Sequence, residues 1–151
     1  MWRPALTNDY SSIIEMVREL YREDPSPEPV PDEHTRRTVA ALRAEPARGR
    51  GVVLEIEGRV VGYALLISFW SNELGGEVCM IDELYVRPAH RSRGHGRALI
   101  EALTSGTPLW PSRPVAIDLE VTPGNSRARA LYSSLGFSPA KNAHMRFRMR
   151  G

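Results

Sequence analysis

Along the first third of the chain the apolar residues Ile13, Ile14, Val17, Leu20 and Tyr21 recur at helical spacing, and Thr7-Asn8-Asp9 before them offers capping side chains. A helix is predicted there, preceded by a short apolar strand from Trp2 to Leu6. Between Asp24 and Pro31, Pro25, Pro27, Pro29 and Pro31 exclude both helix and central strand, so this stretch is a loop. Asp32-Glu33 opens a second helix at the end where its dipole favours acids; Thr38, Val39, Ala41 and Leu42 form a weak apolar face that stops before Pro46. From Gly51 the period shortens. Val52, Val53, Leu54 and Ile56 run into the turn Glu57-Gly58, and Arg59 to Ile67 returns as the second arm of a hairpin. Ser68 to Gly76 reads as a turn, Glu77 to Val86 as a third strand closed by Pro88, and a helix from near Gly94 carries Ala98, Leu99, Ile100 and Leu103. Pro108, Pro111 and Pro114 mark a loop. Val115 to Val121 then predicts a buried strand, and Asn125 to Leu135 a helix ended by Gly136. Met145, Phe147 and Met149 alternate with Arg146, Arg148 and Arg150, the pattern of a final half-buried strand. The order β-α-α-β-β-β-α-β-α-β describes an α/β (α+β) fold, a mixed central sheet flanked by helices in one domain spanning 1–151.

Composition narrows the class without choosing a function. The 151 residues are 42% hydrophobic and 25% charged, as in an ordinary soluble domain. Cys79 is the single cysteine, which excludes an internal disulfide framework and multi-cysteine metal sites. His34, His90, His95 and His144 lack metal-ligand spacing, so no metal is expected. No apolar stretch approaches the ~18 residues of a membrane span, and polar residues follow Met1-Trp2-Arg3-Pro4, so a cytoplasmic protein without a membrane partner is expected. The net charge of +2 is a near balance of acids and arginines, and the basic stretch Arg87 to Arg97 is broken by Pro88, His90, Gly94 and Gly96. Nucleic acid is therefore not the expected partner; the cluster reads as a local anion site.

That cluster holds the most informative residues. In Arg91-Ser92-Arg93-Gly94-His95-Gly96-Arg97 two glycines open a helix directly after a strand, so free backbone N–H groups and a positive dipole end suit a pyrophosphate. A dinucleotide fingerprint fails because Leu99 stands at its third glycine, and a P-loop fails because the chain has no Gly-Lys pair. A glycine-rich turn with no chemical role is the remaining alternative.

Arg91-Ser92-Arg93-Gly94-His95-Gly96 matches R/Q-x-x-G-x-G/A, and Asn125 to Phe137 matches N-x-x-A-x-x-L-Y-x-x-x-G-F. Together they resemble the GCN5-related N-acetyltransferase family, over nearly the whole chain. The resemblance implies acetyl-CoA as donor, with its pantetheine paired along the backbone of Leu84, Tyr85 and Val86. It implies that the amides of Arg93, Gly94, His95, Gly96 and Arg97 hold the pyrophosphate, aided by the charge of Arg91 or Arg93. Tyr132 falls where the family places a phenol near the thioester sulfur, so it is the expected general acid; its spacing with Leu131 and Leu135 also suits a packing stripe. Asn125 is a helix cap, and in the family this position also reaches the cofactor.

An ammonium cannot attack a carbonyl, so a base is needed, and Asp82 and Glu83 are the candidates. Strict alternation sets them on opposite faces of their strand, and the resemblance leans to Asp82. Either acid also suits a solvated strand position or an ion pair, and Glu120 is a third candidate. The Pro-rich loop and the turn Ser68 to Gly76 are expected to line the acceptor cleft, with Glu23, Asp24, Glu28, Asp32 and Glu33 as an anionic rim or an ordinary solvated loop. The expected activity is direct acetyl transfer to a primary amine of a small molecule. A protein or peptide acetyltransferase and a non-catalytic acyl-CoA sensor are the alternatives, and a homodimer is the default assembly.

Overall fold

The computed structural model describes residues 1–106 and 109–151, so Pro108 lies outside the described residues. Among these the chain forms two compact units, Met1–Glu120 and Val121–Gly151. The first contains β1 (Trp2–Pro4), α1 (Tyr10–Glu23), α2 (Asp32–Ala44), β2 (Gly49–Ile56), β3 (Arg59–Ser71), β4 (Gly76–Val86), α3 (His95–Thr104) and β5 (Ala116–Leu119). The second contains α4 (Ser126–Ser134).

The sheet runs β1-β2-β3-β4-β5, with antiparallel neighbours up to β4 and a parallel β4–β5 pair. Both Glu57 and Gly58 have positive φ, 49° and 73°, as a two-residue turn matched to strand twist requires. Alternation along the strands feeds two cores. Val53, Tyr63, Leu65 and Tyr85 pack under Ile13, Met16 and Val17 of α1 and Val39 and Leu42 of α2. Val52, Leu54, Ala64, Leu66, Cys79 and Ile81 pack on the other face against Leu99 and Leu103 of α3. Each fully buried leucine of α3 contributes on the order of 2 kcal/mol of transfer free energy, so this face fixes α3 against the sheet.

Several boundaries differ from the sequence expectation. Asp9 does not cap α1 through its side chain: its carboxylate accepts Leu6 N–H at 2.8 Å and pairs with Arg3 at 2.7 Å. β3 continues to Ser71, so Phe69 and Trp70 are strand residues and the turn is confined to 72–75. β5 is shorter than Val115 to Val121 and only partly buried, because it lies at the end of the strand order and Val115 remains 54% exposed.

In the second unit Asn125 caps α4, its Oδ1 accepting Ala128 N–H at 3.1 Å, and Gly136 follows with φ 96°. The expected closing strand at 145–150 is absent among the described residues. Met145, Phe147 and Met149 are exposed there. Alternation specifies two faces of a strand but supplies no partner ladder, and here none is present.

Candidate active site

β4 is irregular at one point. Leu66 faces Ile81 and Leu65 faces Glu83, so Asp82 is an extra residue, a β-bulge. Ile81 and Leu84 both join the core under α3 although two residues separate them. Strict alternation, and with it the opposite-face placement of Asp82 and Glu83, therefore fails here. The β4–β5 ladder ends with the pair Ile81–Leu119, immediately before the bulge. Beyond it, Arg87 N–H donates to Val61 O on β3 at 2.9 Å. Alternation then turns the N–H and C=O of Val86 and Leu84 to the side that β5 has left. The contact of Arg91 Nε with Val86 O, 2.6 Å, confirms that direction.

This edge leads into the glycine turn. Ser92 and Gly94 are left-handed, φ 61° and 80°. A Cβ on Gly94 would meet no atom within 4 Å, so the glycine serves its backbone angle rather than close packing. Ala98 N–H closes the first intrahelical bond to Gly94 O at 2.9 Å, which leaves the N–H groups of His95, Gly96 and Arg97 in the first turn without an acceptor in the helix. Trp2 Nε1 donates to His95 O at 2.8 Å and ties this turn to β1. Burial, with the nearby N-terminus, His90 and Arg93, lowers the His95 pKa and favours a neutral imidazole. Arg93 and Arg97 are exposed; Arg93 Nη2 lies 3.3 Å from Ala89 O.

The candidate acids have different surroundings. Glu83 accepts from Tyr21 of α1 at 2.9 Å and from Tyr63 of β3 at 2.7 Å. Burial raises its pKa, the two phenols oppose the rise, and the Asp82 charge adds to it. Asp82 is exposed, as is Glu120 just past β5. Tyr85 OH sits 3.1 Å from both Glu19 Oε2 and Glu23 Oε1. Arg87 Nη2 donates to Glu15 at 2.8 Å and to Glu19 at 3.2 Å.

Sequence reasoning missed Tyr21 and Tyr63, for which it offers no signal, and the acidic stripe. Glu15, Glu19 and Glu23 recur every four residues and do offer one. The anionic rim is partly neutralised, since Glu23 pairs with Arg91, and Asp32 with Arg18 and Arg36. The turn at 72–75 does not line this site: from Glu77 to Glu83 the strand alone spans about 20 Å. Cys79 is fully buried, with its pKa pushed up to about 12 by burial and then by Glu77, so it is no nucleophile.

In the second unit Tyr132 packs edge-on against Phe137, ring centroids 5.7 Å apart, and burial raises its pKa. Elsewhere in the first unit, a cavity of about 300 Å³ is lined by Pro4, Leu6, Tyr10, Val39 and Leu42 among others, with Arg43 and Arg50. Among the described residues no helix is long and apolar enough to cross a membrane.

The family model for the acetyltransferase (GNAT) family matches residues 14–137. The chain belongs to that family. A mycothiol acetyltransferase of Amycolatopsis mediterranei is 35% identical over 140 residues, 86% of this chain and 42% of that protein. The chain thus spans less than half the length of this curated relative. A structure from Clostridium difficile 630, described as a possible acetyltransferase, superposes with TM-score 0.81 at 21% identity and covers 100% of this chain and 98% of that one. An aminoglycoside N-acetyltransferase in complex with CoA gives TM-score 0.70 at 16% identity, with both chains covered completely. These two likenesses concern the fold.

Proposed function

We propose that the protein transfers the acetyl group of acetyl-CoA directly to a primary amine of a small molecule. The observation that carries this reading is the β4 edge that β5 leaves, where Leu84 and the Val86 N–H face outward while Arg91 takes Val86 O, continuous with a left-handed turn and the first-turn amides of α3. An extended ligand that bears amides at one end and a diphosphate at the other fits that sequence of backbone groups. In this reading Leu84, Tyr85 and Val86 form the strand edge for pantetheine, and the amides of Arg93, Gly94, His95, Gly96 and Arg97 receive the diphosphate. The exposed Arg93 and Arg97 supply charge, while Asn125 holds the start of α4.

Glu83 is the base we favour over Asp82 and Glu120. A half-buried carboxylate with raised proton affinity is better matched to an ammonium at neutral pH than an exposed one. Glu83 removes one proton from the acceptor ammonium, the amine nitrogen bonds to the acetyl carbon as the carbon–sulfur bond breaks, the Tyr132 hydroxyl gives its proton to the departing sulfur, and the second proton, lost from the new amide nitrogen, restores the phenol. The raised pKa of Tyr132 suits a group that must stay protonated until then. The relative named for mycothiol supports a small-molecule acceptor.

Thiol release from acetyl-CoA, measured over polyamines, amino acids, aminoglycosides and N-terminal peptides, tests the reading. Turnover with at least one small amine is expected, with Tyr132→Phe slower by roughly 10²-fold or more. Activity confined to peptides refutes the acceptor class, and full turnover by Tyr132→Phe refutes its role as acid.

A further inference from the structure

Arg91 opens the R-x-x-G-x-G turn, and its charge is the obvious one to offer a diphosphate. Two of its three nitrogens are directed elsewhere. Nε donates to Val86 O at 2.6 Å, Nη2 reaches both oxygens of Glu23 at 3.0 and 2.8 Å, and the guanidinium carbon stands 5.1 Å over the Tyr85 ring. Glu23 is the last residue of α1, and the same helix holds the preceding stretch of loop through Glu19 and Glu15 on Arg87. The residues leading into the turn are thus fastened along α1. The two left-handed residues, Ser92 and Gly94, lie between the last fastening to α1, at Arg91, and the tie from Trp2 Nε1 to His95 O.

We infer that Glu23 is a positioning residue for the diphosphate of the donor, acting through Arg91. The pair pins the entrance of the turn to the end of α1, so the amides that follow are held in place before the ligand arrives. The inference rests on the acetyl-CoA reading above, and it assigns Arg91 to this pair rather than to the phosphates. The two roles of Arg91 predict opposite behaviour from Glu23. If Arg91 must leave Glu23 to reach a phosphate, neutralising Glu23 frees it and CoA binds as well or better. If the pair holds the turn, losing either partner weakens binding.

Calorimetric CoA affinity of Glu23→Gln, Arg91→Ala and the double variant decides between them. Glu23→Gln is expected to bind roughly tenfold more weakly and Arg91→Ala at least as much, since it also loses the Val86 bond; the double variant binds no more weakly than Arg91→Ala, because the contact with Glu23 is already gone there. In steady state the KM for acetyl-CoA rises, while kcat and the acceptor KM stay within about twofold, a split that general loosening of the fold would not produce. Glu23→Asp, which keeps the charge, recovers part of the loss; it carries the comparison if Glu23→Gln does not fold. Unchanged or tighter binding by Glu23→Gln, or additive losses in the double variant, overturns the inference while leaving the acetyl-CoA reading in place. Failure of the unmodified protein to bind CoA overturns both.

Discussion

Glu83 shows how one side chain can couple chemistry to stability. Its carboxyl is half-buried between Tyr21 and Tyr63, near the Asp82 charge, and desolvation dominates in raising its proton affinity above that of a solvated glutamate. The folded chain therefore holds this proton more tightly than the unfolded one. The stabilisation is complete below the ordinary glutamate value of about 4.3 and is lost as pH rises through the higher folded value. Glu83→Gln keeps the shape and removes the titration. Its stability relative to the unmodified protein should grow from pH 4 to neutrality in urea unfolding, while turnover falls; a difference that is flat with pH would show that Glu83 titrates normally. Removing one phenol should act in the other sense. Tyr63→Phe deletes a 2.7 Å donor to the carboxylate, costs about 1–3 kcal/mol at neutral pH, and moves the acid limb of kcat/KM to higher pH.

At the scale of elements, helices and turns were legible because their signals are local. The period of Ile13, Ile14 and Val17, the prolines between 24 and 31, and the Glu57-Gly58 turn each act within a few residues. The bulge was written in the chain yet hidden. Residues on the α3 face fall at Cys79 and Ile81 and then at Leu84 and Val86, a slip of one position. Because Val78, Met80 and Tyr85 make β4 apolar on both faces, alternation alone did not reveal it. The Glu83 pocket was illegible for another reason: it joins Tyr21, Tyr63 and Glu83 from three elements, and only the sheet register brings them together. The tail at 145–150 shows the converse, a clear local pattern with no partner ladder in the described structure. The bulge itself can be tested by deletion. Removing Asp82 leaves Leu65 opposite Glu83 and Leu66 opposite Ile81, and keeps every later side chain on its face. It takes out only the extra residue that bends the strand where β5 departs. The deletion variant should fold with unchanged circular dichroism and lose CoA affinity by more than about tenfold. A deletion variant that binds CoA normally would detach the open edge from cofactor binding.

Across the whole molecule, a ligand that binds only the folded chain stabilises it by about 2.7 kcal/mol at a hundredfold excess over Kd, which for a chain of this size raises Tm by roughly 5–10 °C. A thermal shift alone would not say where CoA sits; amide hydrogen exchange would, because β4 carries its own internal control. Arg87 N–H already donates to Val61, and by alternation Tyr85 N–H faces the same neighbour, so both should exchange slowly with or without CoA. Leu84 and Val86 N–H face the edge that β5 has left, and the first-turn amides His95, Gly96 and Arg97 lack acceptors within α3. Saturating CoA should therefore slow exchange at 84 and 86 but not at 85 and 87, and should slow it across 93–97. Protection that appears instead around Gly49–Gly51 and Leu6–Tyr10 would place the ligand in the cavity of about 300 Å³ that those residues line, and the open edge of β4 would need another explanation.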